Sequence, residues 1–181
     1  MPIKFAFNEQ KAVAALAFVA SETPGQTPFF VSKILFYADK KHVNRYGRPI
    51  LGDNYVKMED GPVPSTVKNY FDEKWERVPK PVEFDRVLTI KKRWYRHLYV
   101  GQHYADMDLL SESDKRCLLE AIEFCKGKSK DKLSELTHLE RAWLRAPDNR
   151  YMDYLDFVDE DHPHKEEVIE LMKENAYCGI L

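Results

Sequence analysis

The chain contains little cysteine, and its spacing suits neither a disulfide framework nor a structural metal site. The three cysteines are Cys117, Cys125 and Cys178, and no two of them form a Cys-x-x-Cys pair. Cys117 and Cys125 lie in an apolar helical pattern, where a small buried thiol packs well. We therefore expect these two residues to be part of the core.

Long apolar runs are also missing. No segment approaches the length of a membrane span, and the first residues lack the apolar stretch of a signal peptide. The chain has 181 residues, of which 44% are hydrophobic and 32% charged, and this composition is typical of one globular domain. We expect a cytoplasmic protein with no membrane partner. The net charge of −2 excludes neither a protein nor a nucleic-acid partner.

Glycine is scarce, with seven residues, and its distribution argues against a nucleotide-binding loop. Gly47, Gly52 and Gly61 are too dispersed for a GxGxxG or P-loop motif, and a turn explains each of them. His138 beside Glu140 could orient a proton transfer, but no serine or cysteine nucleophile can be placed next to it from the sequence. A packed histidine that is hydrogen-bonded to the backbone is the competing interpretation.

One set of residues has the chemistry of metal ligands: His97, His103, Asp106 and Asp108. Imidazole and carboxylate groups suit several divalent ions, but this spacing matches neither the HExxH nor the EF-hand template. We therefore predict no catalytic, metal-binding or cofactor-binding residue and no cofactor. We expect a protein that is not an enzyme.

Helical spacing dominates the chain. Asn8 can cap a first helix, and a second, core-facing helix follows, in which Phe30, Ile34, Tyr37 and Ala38 share one face. We expect most of the charged residues of this helix to lie off that face, namely Lys33, Asp39, Lys40 and Lys41. Gly47 then ends the helix, because glycine tolerates the positive φ of a helix C-cap.

The later helices are predicted from capping residues, and the strands are predicted from runs of apolar residues. Ser111 with Asp114 predicts a capping box at a helix start, and Thr137 with Glu140 predicts a second one at a helix restart. After the first helices and before Ser111, apolar residues from Phe84 onward favour two strands of a hairpin over residues 83–100. The predicted fold class is therefore α+β and predominantly helical, a compact helical bundle with a small antiparallel β-hairpin.

The hairpin carries the one charge feature that suggests a function. No Asp or Glu occurs between Asp85 and Asp106, and in this interval cations alternate with aromatic rings in Lys91, Lys92, Arg93, Trp94, Tyr95 and Arg96. An acidic protein partner fits this stretch, because Arg, Tyr and Trp dominate interface energetics. Phosphate contact with base stacking is a second interpretation. A solvated hairpin whose lysines protect a strand edge is the third.

Several motifs occur in an order that resembles a known family. They are Tyr46-Gly47-Arg48-Pro49, Gly52-Asp53-Asn54-Tyr55, Gly61-Pro62-Val63, and Thr137-His138 followed by Ala142-Trp143. In this order they resemble the Panacea domain of the SocA-like antitoxin family, from about Phe29 to Trp143. We therefore expect one Panacea-like domain over residues 1–181, with an acidic linker and a C-terminal helix in residues 148–181.

The resemblance implies an antitoxin that binds and neutralises a partner protein toxin. It also implies, for adaptor members of the family, delivery of the toxin to an AAA+ protease. We expect the toxin interface outside the fold-defining motifs, and our candidates are Lys91, Lys92, Arg93, Trp94, Tyr95 and Arg96. The alternative is an enzyme or binding module that acts on a phosphorylated small molecule or nucleic acid. Direct nucleic-acid binding is disfavoured by the net acidic chain.

Overall fold

The computed structural model describes residues 3–72, 80–92 and 94–179, which form eight α-helices and two antiparallel two-stranded sheets. In chain order the elements are α1 Glu9–Glu22, α2 Pro28–Tyr46, β1 Tyr55–Met58, β2 Gly61–Pro64, α3 Ser65–Tyr70, α4 Val82–Val87, β3 Leu88–Lys92, β4 Arg96–Val100, α5 Glu112–Cys125, α6 Lys130–His138, α7 Arg141–Arg145 and α8 Lys165–Cys178, with 3-10 turns at Met107–Leu109 and Tyr154–Phe157. The predicted α+β, predominantly helical fold class is confirmed. No helix in the described ranges combines the length and hydropathy that a membrane span requires.

Helix α2 runs through the centre of the molecule. Every residue from 31 to 39 is buried, so the helix is covered on all sides, and α5, α6, α8 and β2 all contact it. The prediction that the charged residues lie off the core face is wrong for two of them. Lys33 and Asp39 are buried, whereas Lys40 and Lys41 are partly exposed. A helix that is covered on all sides has no solvent face, so its polar side chains must find partners inside the protein.

Asp39 fastens the segment that follows α2. Its carboxylate accepts hydrogen bonds from the backbone N–H of Ile50 at 2.7 Å and from the hydroxyl of Tyr55 at 2.9 Å. Burial raises the pKa of Asp39 to about 7, although these hydrogen bonds oppose the rise. The tyrosine of the Gly-Asp-x-Tyr motif is therefore part of the scaffold.

Asp53 of the same motif caps helix α3. Its side chain accepts hydrogen bonds from the backbone N–H groups of Thr66, at 3.0 Å, and Val67, at 2.9 Å. A carboxylate at this position satisfies orphan N–H groups and opposes the positive end of the helix dipole. The motif thus fixes the direction of the chain at the start of α3.

The predicted hairpin is present, with one correction. Strands β3 and β4 pair antiparallel with Leu88 opposite Val100 and Lys92 opposite Arg96. The extension of the first strand back to Phe84 is wrong, because Phe84 and Val87 lie in α4, where both side chains are buried. Their spacing of three residues fits one helix face, and acidic residues in the first turn favour the helix.

A second hairpin was not anticipated from the sequence. Strands β1 and β2 pair antiparallel with Tyr55 opposite Pro64 and Met58 opposite Gly61. The sequence predicts a turn at Gly61-Pro62-Val63-Pro64, because glycine tolerates positive φ and proline cannot continue a helix, whereas the structure has these four residues in β2. Among the described residues β2 pairs with β1 alone, so it is an edge strand, and the missing N–H groups of Pro62 and Pro64 cost no central ladder bond.

The helix caps agree with prediction except at one position. Asn8 caps α1, and Ser111 with Asp114 forms the predicted capping box at α5. The capping box of Thr137 with Glu140 is wrong. Thr137 lies inside α6, where its hydroxyl donates to the carbonyl of Leu133 at 3.0 Å, and Glu140 precedes α7 without a side-chain cap. A threonine hydroxyl can bond back to its own helix, so the sequence pattern was ambiguous.

The chain after α7 returns to the core. Tyr154 and Phe157 are buried, and the side-chain amide of Asn175 in α8 donates to the carbonyl of Gly47 at the end of α2, at 3.0 Å. Cys117 and Cys125 are buried free thiols, as predicted.

Candidate functional site

Five of the six candidate partner-binding residues lie at the end of the β3–β4 hairpin, namely Lys91, Lys92, Trp94, Tyr95 and Arg96, and we refer to residues 91–96 as the hairpin tip. Lys91 and Lys92 are exposed, Trp94 is 96% exposed and Tyr95 is 73% exposed. Arg93 lies outside the described residues. Two large rings held in solvent beside cations are costly to leave uncovered and suit a protein interface.

Arg96 has a different environment from the rest of the hairpin tip. Its guanidinium donates to the backbone carbonyl of Phe71 and lies 3.8 Å from the carboxylate of Asp72. The side chain is partly buried. Arg96 therefore anchors the hairpin to the end of α3 and is a poor target for a variant that should alter binding alone.

The base of the hairpin is fixed to the loop between α1 and α2. The backbone of Leu98 makes two hydrogen bonds with this loop. Its carbonyl accepts from the N–H of Gly25 at 2.8 Å, and its N–H donates to the carbonyl of Gln26 at 2.9 Å. Nδ1 of His97 lies 2.8 Å from the carbonyl of Gly25. These contacts hold the hairpin against the protein, so the hairpin tip is presented from a fixed base.

A groove of about 560 Å³ separates the hairpin tip from the start of α2. We refer to it as the tip groove; it is lined by Thr27, Pro28, Phe29, Phe30, Asp60, Tyr95, Arg96 and Lys130. The rings of Phe29 and Phe30 meet edge to face, with centroids 5.3 Å apart. Lys130 forms an ion pair of 2.7 Å with Asp60, and its Nζ lies 5.6 Å from the centre of the Phe29 ring. The groove therefore has an apolar side and a charged side that meet at Phe29, and its volume lies in the usual range of roughly 300–1,000 Å³ for ligand sites.

The tip groove was not predicted from the sequence. Phe30 was assigned to the core face of α2, and Phe29 received no role. The available signal was the adjacent pair itself, because neighbouring residues on a helix point about 100° apart, and both can be fully buried only where the helix is covered on all sides. Asp60 and Lys130 could not have been placed there, since they come from a turn and a helix that are distant in sequence.

Lys33 lies beside the tip groove, in a neighbouring cavity that shares Phe29 as a wall. Its amine donates to the carbonyl of Pro62 at 3.1 Å and lies 4.7 Å from the centre of the Phe29 ring. Burial lowers the pKa of Lys33 to about 7, and the nearby carboxylate of Asp60 only partly opposes this. The side chain is fully buried, so it links α2 to the β1–β2 hairpin and is not available to a partner.

The lowered pKa of Lys33 gives a testable dependence of stability on pH. Between about pH 7 and 8.5 the unfolded chain keeps a proton that the folded Lys33 releases, so stability should rise with pH by about 1–2 kcal/mol. The Lys33→Met variant should lack this rise, whereas Lys173→Met, at an exposed position on α8, should retain it. Urea unfolding at the two pH values measures the difference, and an equal rise in Lys33→Met would contradict the assignment.

His138 and Trp143 of the family motifs are held by contacts with each other and with the β1–β2 hairpin. Nε2 of His138 lies 2.9 Å from the carbonyl of Glu59, and the two rings stack with centroids 4.0 Å apart. The indole N–H of Trp143 donates to the carbonyl of Met58 at 3.2 Å. Trp143 is only partly buried, and its hydrogen bond joins α7 to the β1–β2 hairpin. The environment of His138 is that of a packed histidine that is hydrogen-bonded to the backbone.

The metal-like set does not assemble. His97 faces a backbone carbonyl of the α1–α2 loop, and Asp106 caps the 3-10 turn at Met107–Leu109. Within residues 3–72, 80–92 and 94–179, no group of three or more His, Cys, Asp or Glu side chains could hold a metal ion.

Comparison with known proteins agrees with the motif order. The sequence model described as "Antitoxin SocA-like, Panacea domain" matches residues 31–144, which is well over half of the chain. No curated protein and no solved structure matches. The matched region starts within α2 and ends in α7, so it contains most of the central helix and both hairpins. It also contains the tip groove except for residues 27–30, which precede the match. The chain belongs to the SocA-like antitoxin family with a Panacea domain.

Proposed function

We propose that this protein is an antitoxin that neutralises a partner protein toxin by binding it through the hairpin tip. Membership of the SocA-like family carries the proposal, since it indicates an antitoxin role and a toxin partner. The function requires a binding surface and no reacting group, which agrees with the packed state of His138. The proposed partner-binding residues remain Lys91, Lys92, Arg93, Trp94, Tyr95 and Arg96.

The hairpin tip is supported as the interface by its exposure and its charge. Trp94 and Tyr95 can each bury a large area on binding, and Lys91 and Lys92 have no carboxylate partner among the described residues. Exposed lysines add little to stability but attract an acidic partner and speed association. Arg96 contributes mainly by holding the hairpin in position.

The test replaces the exposed residues and leaves Arg96 intact. We expect the variant Lys91→Ser, Lys92→Ser, Trp94→Ala, Tyr95→Ala to raise the Kd for the toxin encoded beside this protein by about 100-fold or more, with an unchanged melting temperature. Growth rescue on co-expression should fail. The matched control, Lys4→Ser, Lys173→Ser, Tyr104→Ala, Tyr177→Ala, removes two exposed lysines and two rings that are 96% and 93% exposed. It should bind and rescue normally.

Unchanged rescue by the hairpin-tip variant would place the interface elsewhere. The acidic tail also carries three aromatic residues that suit an interface by type, Tyr151, Tyr154 and Phe157. Tyr154 and Phe157 are core residues, so only Tyr151, which is 63% exposed, is left to contribute there.

Neutralisation by binding has two forms, stoichiometric inhibition and delivery of the toxin to an AAA+ protease. The half-life of the toxin in cells separates them. Delivery shortens the half-life when this protein is present, and loss of the protease restores it. Simple inhibition leaves the half-life unchanged while growth is rescued.

A further inference from the structure

The tip groove indicates more about the partner than the hairpin tip does alone. Its apolar side is formed by Pro28, Phe29, Phe30 and Tyr95, which come from the start of α2 and from the hairpin. Phe29 and Phe30 are partly buried, so each ring offers one face to the groove. An apolar side chain of a partner would be enclosed there by rings on two elements, as expected for the anchor of an interface.

Lysines from two distant parts of the chain lie near the tip groove. Lys92 pairs across the hairpin with Arg96, which lines the groove, and Lys91 precedes it on β3. Lys128 comes from the loop between α5 and α6 and lines a cavity that shares Phe30 with the tip groove. Lys128 donates to the backbone carbonyl of Phe124, and none of the three lysines pairs with a carboxylate among the described residues. The surroundings of the tip groove are therefore positively charged, and a segment that lies across it should be acidic.

The charged side of the groove adds a requirement for the anchor. One oxygen of Asp60 pairs with Lys130, and both side chains are about half exposed. The other oxygen can accept a hydrogen bond from a group in the groove. Tryptophan and tyrosine combine an apolar ring with one polar hydrogen that this oxygen can accept. An aromatic side chain of a peptide therefore fits both sides of the groove.

We propose that the tip groove receives a tryptophan or tyrosine side chain from an acidic segment of the partner, with the ring against Phe29, Phe30 and Tyr95 and its polar hydrogen on Asp60. This inference rests on the proposed antitoxin function for the identity of the partner as a toxin. The groove's preference for such a segment is a property of this chain alone and can be measured without the toxin.

The first test uses short capped peptides and the isotope-labelled protein. A peptide with one tryptophan between glutamates should shift the backbone amide NMR signals of Phe29, Phe30, Tyr95 and Lys130. Peptides in which alanine replaces the tryptophan, or lysines replace the glutamates, should not shift them. Shifts at other positions, equal binding of the alanine peptide, no binding at millimolar concentration, or tighter binding of a short RNA at these amides would each overturn the proposal.

Two variants on one helix provide a matched comparison. Lys130→Glu reverses a charge in the groove wall beside Asp60, and Lys132→Glu reverses a charge two residues later on α6, outside the residues that line the groove. The two side chains are 54% and 50% exposed, and each pairs with one carboxylate. Lys130→Glu should weaken binding of the glutamate peptide about tenfold, while Lys132→Glu should change it less than about twofold. Equal effects of the two variants would mean that the peptide is held by general charge attraction and not in the groove, which would contradict the proposal.

A third variant separates this inference from the proposed function. Thr27→Trp places a large ring in the groove, at a helix N-cap whose side chain makes no capping hydrogen bond, so little stability should be lost. It should block the glutamate peptide and weaken toxin binding. If the toxin binds Thr27→Trp as tightly as the parent, the groove inference fails and the antitoxin function stands. If the toxin does not bind the parent protein, the antitoxin function fails and the peptide titration still decides the groove.

Discussion

Replacing Asp114 with alanine is expected to lower the free energy of unfolding by about 3–5 kcal/mol. The carboxylate is fully buried, and Lys11 Nζ lies 2.9 Å from Oδ2. His42 Nε2 and Arg48 Nη2 lie 3.1 and 3.3 Å from Oδ1. Oδ2 also accepts the backbone N–H of Ser111 in the capping box of α5. Loss of the carboxylate would leave a buried lysine without its counter-charge and remove one of the two hydrogen bonds of the α5 capping box, which explains the large cost.

The Asp114 carboxylate also makes the stability of the protein depend on pH. Burial alone would raise the pKa of Asp114, but contacts with His42 and Lys11 and the charge of Arg48 outweigh it and hold the pKa well below its usual range. The unfolded chain therefore binds a proton at a higher pH than the folded protein. Stability from this group is present above about pH 4 and is lost as the pH falls below it.

Chemical unfolding from pH 7 down to pH 3 measures both effects. The Asp114→Asn variant keeps an oxygen that can accept the capping hydrogen bond at α5 but removes the charge. It should therefore lose selectively the part of the stability that depends on pH. Glu112→Ala, on the first turn of α5, removes an exposed carboxylate that pairs only with Lys115 at the surface, and should change stability by less than about 0.5 kcal/mol. A parent-like stability of Asp114→Ala would show that Lys11 and Arg48 find other partners.

Local rules were sufficient wherever one segment determines the outcome. The cap at Asn8, the box at Ser111, the glycine end of α2 and the β3–β4 hairpin all depend on a few neighbouring residues, and each was predicted. The burial of Lys33 was missed because it depends on how many elements surround α2. The Gly-Pro-Val-Pro strand was missed because proline in a strand is acceptable only when the strand is an edge, which is a tertiary property.

The candidate site divides in the same way. The hairpin tip was visible from the sequence because cations and rings are contiguous there. The anchoring of Arg96 to Phe71 was invisible, since it joins residues that are distant in sequence. The tip groove forms only where residues 27–30, 60, 95 and 130 lie together, and no periodic pattern in the sequence predicts contacts between segments so far apart. Sequence patterns therefore located the exposed part of the site and missed its enclosed part.

Replacing Gly61 with valine should lower the free energy of unfolding by about 2–5 kcal/mol, through backbone strain and overpacking together. Gly61 has a φ of +103°, in the region that favours glycine. A Cβ atom there would lie 2.9 Å from Nζ of buried Lys33 and still closer to Oγ1 of buried Thr137. Neither neighbour can move freely, because Lys33 is hydrogen-bonded to Pro62 and Thr137 to its own helix.

Gly127 supplies a control that separates the two causes. Its φ is +71°, but a Cβ atom there would meet nothing within 4 Å, so Gly127→Val should cost only the strain of about 1–2 kcal/mol. Thermal unfolding of both variants, followed by toxin binding of the folded fraction, completes the comparison. The Gly61 variant should lose stability first and bind normally where it is folded, because Gly61 packs against Lys33 and Thr137 and is not among the residues that line the tip groove. If Gly61→Val instead melts like the parent but fails to bind the toxin, Gly61 itself belongs to the interface, and the Gly-Pro-Val motif is a binding element rather than part of the scaffold.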